Sequence, residues 1–229
     1  MMNNMKPWII KWAMNQNKGV APTGEISITE NGTYDVTTYA SANVNVAQSN
    51  NAKINPVLDG TQSGSTIVYK SIEELPQLDA TGVTDLGLAC RNYKKLKKIN
   101  GGLNNTGNLL YINNMFEGAT SLTDAPIISD TSKIETIAGL FDGCTSLVNV
   151  PSYNLPRVGA SSSAFSATFR NCSSLSSDSL NNILAMCISM VRISSGKYLS
   201  SLGLSETQIE VCKTLSNYQA FLEAGWYAS

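Results

Sequence analysis

Four acidic side chains, Glu117, Asp124, Asp130 and Asp142, stand close together in the middle of this chain. Paired carboxylates are the apparatus of glycoside hydrolysis, and that chemistry needs them about 5–9 Å apart. No two of these four have a spacing that implies such a separation, and carboxylates outside a motif are ordinarily surface groups. Five cysteines, at 90, 144, 172, 187 and 212, form an odd set with no CxxC pair, so a zinc site is not indicated. Cys144 and Cys172 hold equivalent positions in a repeat, which suits either a shared metal or disulfide or a column of small buried thiols. The second reading is the expectation, because free cysteine is among the most buried residue types. The chain has no histidine. That removes Ser–His and Cys–His nucleophile pairs and every imidazole metal site at once. The residues therefore point to a protein that is not an enzyme and holds no cofactor or metal.

Two clusters are candidates for binding instead. Lys94, Lys95, Lys97 and Lys98 make the one charge run, in Tyr93-Lys94-Lys95-Leu96-Lys97-Lys98. It is either a grip for an anionic ligand or simply the solvated face of a repeat. Sixteen basic against seventeen acidic residues leave a net charge of −1, which argues against a nucleic-acid partner. Near the start, Met5, Trp8, Ile9, Trp12 and Ala13 recur at helical spacing, with Pro7 suited to a first helical position. This helix either packs on its own domain or docks Trp8, Ile9 and Trp12 into a partner, as aromatic anchors do at interfaces. Burying each would contribute about 1.5–3 kcal/mol. The apolar run Trp8-Ile9-Ile10 is too short for a signal peptide or a membrane span, and Lys11 interrupts it.

The elements that must position these groups come from a repeat. Met115-Phe116-Glu117-Gly118-Ala119-Thr120-Ser121-Leu122 returns as Leu140-Phe141-Asp142-Gly143-Cys144-Thr145-Ser146-Leu147, and again as Thr168-Phe169-Arg170-Asn171-Cys172-Ser173-Ser174-Leu175. A weaker copy, Ala89-Cys90-Arg91-Asn92-Tyr93-Lys94-Lys95-Leu96, precedes them. Leucines 96, 122, 147 and 175 are separated by 26, 25 and 28 positions. A period in this range marks a solenoid, whose copies bury their apolar faces only by stacking. Cys90, Phe116, Phe141 and Phe169 should form one inward column, and Leu86, Ile112, Ile137 and Phe165 another. Leu147-Val148-Asn149-Val150 alternates as a half-buried strand would, with Pro151 ending it. Each coil then reads as a turn of irregular helix, a bend at Gly or Asn, and a short strand. The strands would stack about 4.8 Å apart in a ladder roughly 15–20 Å long.

The wording Phe-x-Gly-Cys-Thr-Ser-Leu-x-x-Val-Pro, residues 141–151, resembles the BspA-like leucine-rich repeat of bacterial surface proteins, which also occurs in phage tail and fibre proteins. The similarity runs over residues 83–180, with longer coils here. Upstream, Ile-Thr-Glu-Asn-Gly-Thr-Tyr-Asp-Val and then Tyr-Ala-Ser-x-x-Val-Asn-Val resemble a small β module near the start of many phage tail and baseplate-associated proteins. The closing stretch from Leu215 to Trp226 is similar to the ends of phage repeat proteins. The resemblance implies a virion structural protein, part of a tail or head fibre or adsorption apparatus, assembled in the host cytoplasm. It would meet host-surface glycan or protein through its repeats. A secreted bacterial adhesin and a solenoid polysaccharide depolymerase are the alternatives. The missing signal peptide weighs against the first, and the unpaired carboxylates against the second.

The expected fold class is α+β. An N-terminal anchor helix (1–18) precedes a small antiparallel β module (24–46) and a linker (47–66). A leucine-rich-repeat solenoid (67–180) and a C-terminal helical cap (181–229) follow. Glu25-Ile26-Ser27-Ile28-Thr29-Glu30 alternates as a strand, Asn31-Gly32 is a strong hairpin turn, and residues 33–37 and 42–46 supply two more strands. Residues 67–69 are expected as a strand and residues 71–75 as the opening of a short helix. Ser177 or Asp178 should cap the first cap helix, and Ser205-Glu206-Thr207-Gln208 is a capping box for the second. Three short strands are too few for independent stability, so residues 1–46 should bury against other virion proteins or further copies. A dimer or trimer is the expectation.

Overall fold

The structure, a computed structural model, describes residues 73–229 apart from Pro76, and before them the backbone of five short strands. These are β1 (Glu25–Ser27), β2 (Asn43–Val44), β3 (Pro56–Val57), β4 (Thr61–Ser63) and β5 (Thr66–Val68). Trp8, Ile9, Trp12 and the turn at Asn31-Gly32 lie outside the described residues. β1 pairs in parallel with β7 (Gln77–Asp79), β2 pairs antiparallel with β3, and β4 antiparallel with β5. Strands β3 and β4 thus fall within the stretch expected to be a linker, whereas β5 covers two residues of the strand expected at 67–69. A second departure concerns residues 71–75. Glu74 and Leu75 form strand β6, parallel to β8 (Lys98–Ile99), where a helix was expected. Pairing with the first copy of the repeat decides this, because Lys97 N–H donates to Glu73 and Asn100 N–H to Leu75.

From residue 78 onward each copy hydrogen-bonds to the next. Leu86 N–H donates to Tyr111, Cys90 to Met115, Phe116 to Leu140, Phe141 to Thr168 and Phe169 to Leu202, all at 2.8–2.9 Å. Three lines of parallel contact run through the copies: β7 with β9 (Leu103–Asn104) and on to Ile128, Asp85 with Tyr111 and Thr136, and Asp124 with Asn149. The phenylalanine column is literal. Phe116 and Phe141 stack with centroids 5.6 Å apart, and Phe141 and Phe169 at 5.7 Å. Leu86, Ile112, Ile137 and Phe165 are all fully buried beside them, as the repeat columns require.

In the copies at 112–122 and 137–147 the chain makes consecutive tight turns instead of the expected turn of irregular helix, whereas the last copy has one such helical turn, a 3-10 helix at Ser162–Ala164. Met115 N–H donates to Ile112, Ala119 to Phe116 and Leu122 to Ala119, each a three-residue step. The third residue of the first two turns has positive φ: Asn114 and Gly118 here, Gly139 and Gly143 in the next copy. Such turns favour Gly or Asn at that position, since other side chains strain there. This explains the recurring Gly/Asn of the repeat and prevents a helix from propagating. The strand expected at residues 147–150 shrinks to a single bridge at Asn149. Val148 and Asn149 are both exposed between buried Leu147 and Val150, so strict alternation is lost.

Helices close the far end. α1 (Ser177–Ser189) is capped one residue earlier than the expected Ser177 or Asp178: the Ser176 hydroxyl accepts from Ser179 N–H. Ser179 then serves the layer beneath. Its hydroxyl donates to Val148 and accepts from Val150 N–H, both at 2.8 Å, replacing the strand a further copy would supply. α2 (Glu206–Cys212) carries the capping box of Ser205 and Gln208, as its wording indicated. α3 (Tyr218–Glu223) ends near Gly225, whose φ of +80° suits a left-handed stop. Trp226 lies edge-on to Phe165 at 5.4 Å, and one continuous core extends from Leu75 to Trp226. Among the described residues, no helix is long and apolar enough to cross a membrane.

Candidate binding groove

Stacking assigns each chemically able side chain a neighbour one copy away. Glu117 accepts from Arg91 at 2.8 Å and from Asn114 at 2.9 Å. Asp142, almost buried, is bound in a fork by Arg170. One column therefore reads Arg91, Glu117, Asp142, Arg170, with each like-charged carboxylate drawn to an outer guanidinium. Asp130 accepts from Ser132 N–H at 2.8 Å. Hydrogen bonds from the hydroxyl and N–H of Ser132 hold its carboxyl below the ordinary value. Asp124 accepts from Thr123 at 2.6 Å and Asn149 at 2.7 Å. All four carboxylates thus take part in turns or in contacts between copies.

The charge run divides. Lys97 pairs with Glu73 at 2.8 Å, which holds its ammonium above the ordinary value, and Lys98 pairs with Glu74 at 3.7 Å. Lys94 and Lys95 are exposed and have no ion pair with the described residues. They begin a ridge continued by hydroxyls, in which Thr120 donates to Lys94 C=O, Thr145 to Thr120 C=O and Ser174 to Thr145 C=O. The Thr-Ser of the repeat thus serves as a side-chain ladder.

The cysteines face carbonyls. Cys144 Sγ donates to Phe116 C=O at 3.1 Å and Cys172 Sγ to Phe141 C=O at 3.0 Å. Each is small enough for the column and satisfies a buried acceptor. All five are free and buried. Burial pushes every thiol up, Cys172 to about 12 and Cys212 to about 11. Two consequences follow from the protonated state being favoured in the fold. Native protein treated with iodoacetamide at pH 8 should carry no adduct by mass spectrometry, whereas denatured protein should take up five; native adducts would mean that the columns open to solvent. The unfolded chain ionises its thiols near 9, below the folded values. This stabilisation is therefore complete below pH 9 and falls above it by about 1.4 kcal/mol per pH unit for each thiol, until Cys212 and Cys172 ionise in the fold at about 11 and 12. Midpoints of urea denaturation should accordingly fall above pH 9.

A concavity crosses the copies. It is an open groove of about 540 Å³ between the Asp124–Asn149 line and the β9 line. Lys98, Asp124, Asn149 and Asp178 form one wall, from four successive levels. Asn182 closes the end, its amide donating to Val150 C=O at 2.9 Å. Pro126, Ile127 and Pro151 provide apolar surface, with Ile127 69 % exposed. Gly102 brings two copies together at the floor, where an added Cβ would stand 2.2 Å from Ile127 C=O. No family model, curated protein or solved structure matches this chain.

Lys98 and Asp124 were singled out from the sequence for other chemistry, but Asn149, Asp178 and Asn182 were not, nor was the groove they share. A signal was present: Lys98, Asp124 and Asn149 each sit two positions after an anchoring leucine. Among the described residues, no three acidic or cysteine side chains converge as metal ligands do.

Proposed function

We propose that the chain is a phage virion structural protein, of a tail or head fibre or adsorption apparatus, that binds the host surface without being an enzyme. In this reading residues 67–180 are a leucine-rich-repeat solenoid and residues 181–229 its helical cap. Residues 1–46 dock on the particle through Trp8, Ile9 and Trp12 and join two or three copies. The observation that carries the reading is the groove: four levels of the stack contribute one continuous wall, on a chain with only 14 % charged residues. Repeat scaffolds use such extended faces for partners. The wording of the β module and of the repeat adds the virion setting.

The test has two arms. Purified full-length protein should bind cells that the particle infects and reduce particle adsorption, and a map of the intact particle should show a neighbour against Trp8 and Trp12. Absence of the chain from purified particles would sink the virion reading. The division of labour has its own measurement. A fragment from Thr66 to Ser229 should be folded and monomeric by light scattering, because it retains the whole described core, while the full chain should be oligomeric or particle-bound. A fragment that oligomerises as the full chain does would assign assembly to the repeats.

A further inference from the structure

We infer that the groove takes a linear, uncharged polysaccharide laid along the stack, about one sugar unit to each copy. This rests on the host-binding reading above and names the ligand class for it. The first ground is register. The wall repeats its polar groups from copy to copy at the strand spacing, about 4.8 Å, comparable to one pyranose unit of an extended chain. An extended peptide advances about 3.3 Å per residue with side chains alternating in direction, so it loses step with such a wall.

Hydrogen-bond capacity is the second ground. Asn149 gives an amide hydrogen to Asp124 and Asn182 gives one to Val150 C=O, yet neither side-chain oxygen accepts a bond from the described residues. The carboxylate of Asp178 has no partner among them either, and each oxygen of Asp124 keeps a second lone pair. Carboxylates and carboxamides side by side accept from and donate to neighbouring hydroxyls of a sugar. Pro126, Pro151 and Ile127 offer surface for its C–H faces.

Charge is the third. Lys98 lines the wall but is paired with Glu74 at 3.7 Å, so the two carboxylates of Asp124 and Asp178 outweigh it there. An anionic polymer is repelled there, whereas an uncharged polyol is not. The occupant is thereby distinguished from the anionic ligand that the lysine run alone would favour.

The full-length protein should be run through gels containing, in turn, a soluble linear glucan, a mannan, a galactan and, as the anionic counterpart, hyaluronate. Retardation by at least one neutral polymer and not by hyaluronate is expected. Ile127→Glu, at a side chain that packs little on the fold, and Asn149→Ala should each weaken that retardation at least tenfold without shifting the thermal midpoint of Ile127→Glu. No retardation by any neutral polymer, equal retardation by hyaluronate, or wild-type retardation of Ile127→Glu would each overturn the assignment. Protein that binds host cells but none of the neutral polymers overturns the groove's ligand and leaves the host-binding reading standing. Protein that is retarded by a neutral polymer, yet absent from particles and from cell surfaces, does the reverse.

Discussion

Phe141→Ala should destabilise the protein by about 3–5 kcal/mol, read as a lower urea midpoint at unchanged slope. Phe141 is fully buried and lies between two other rings, Phe116 on one side and Phe169 on the other, with interplanar angles of 9° and 19°. The substitution removes the transfer energy of the ring and two offset ring contacts, each worth about 0.5–1.5 kcal/mol beyond burial. The void cannot close easily. Backbone hydrogen bonds on both sides of this position, from Phe141 N–H to Thr168 C=O and from Phe116 N–H to Leu140 C=O, hold the copies at a set separation. A loss under about 1 kcal/mol would contradict this packing. Phe116→Ala and Phe169→Ala test the same column nearer its ends.

Gly102→Ala should cost roughly 2–5 kcal/mol, from left-handed strain and overpacking together. At φ +71° a side chain is strained whatever the space, and the added Cβ would meet the carbonyl oxygen of Ile127 at 2.2 Å. That oxygen cannot retreat, because it accepts from Leu103 N–H at 2.8 Å in the contact between copies. Gly143→Ala separates the two causes. Its φ is +77°, but the nearest atoms to an added Cβ are at 3.6 Å, so only the strain of about 1–2 kcal/mol applies. Equal losses in the two variants, measured by the same denaturation, would mean that the close approach at residue 102 is absent. A Gly102→Ala protein that binds or folds differently would also report on the groove floor.

The register of the copies was legible in the sequence because identical positions in a stack meet their own kind. Phe116, Phe141 and Phe169 share a column in the wording and share a stack in space. The capping box at Ser205 and the stop at Gly225 were equally legible, since both depend on neighbours within four residues. The local conformation of the coil was not. Apolar residues every three or four positions fit a helix and a chain of turns alike, and positive φ at Asn114, Gly118, Gly139 and Gly143 decides for turns. Leu78, Leu103 and Ile128 form a buried column too, but their lying outside the repeated wording concealed it.

What the sequence determined by itself was therefore a repeat, its inward columns and its helical end, all set by side-chain type and short spacing. What only the tertiary structure decided was the use of each polar group. Arg170 on Asp142, Cys172 on the Phe141 carbonyl, Lys98 on Glu74 and the wall of the groove all join residues 24 to 31 positions apart. A hydrogen bond is governed by distances of a few tenths of an ångström between groups on different copies. Spacing along the chain carries no such information; it exists only once one copy rests on the next.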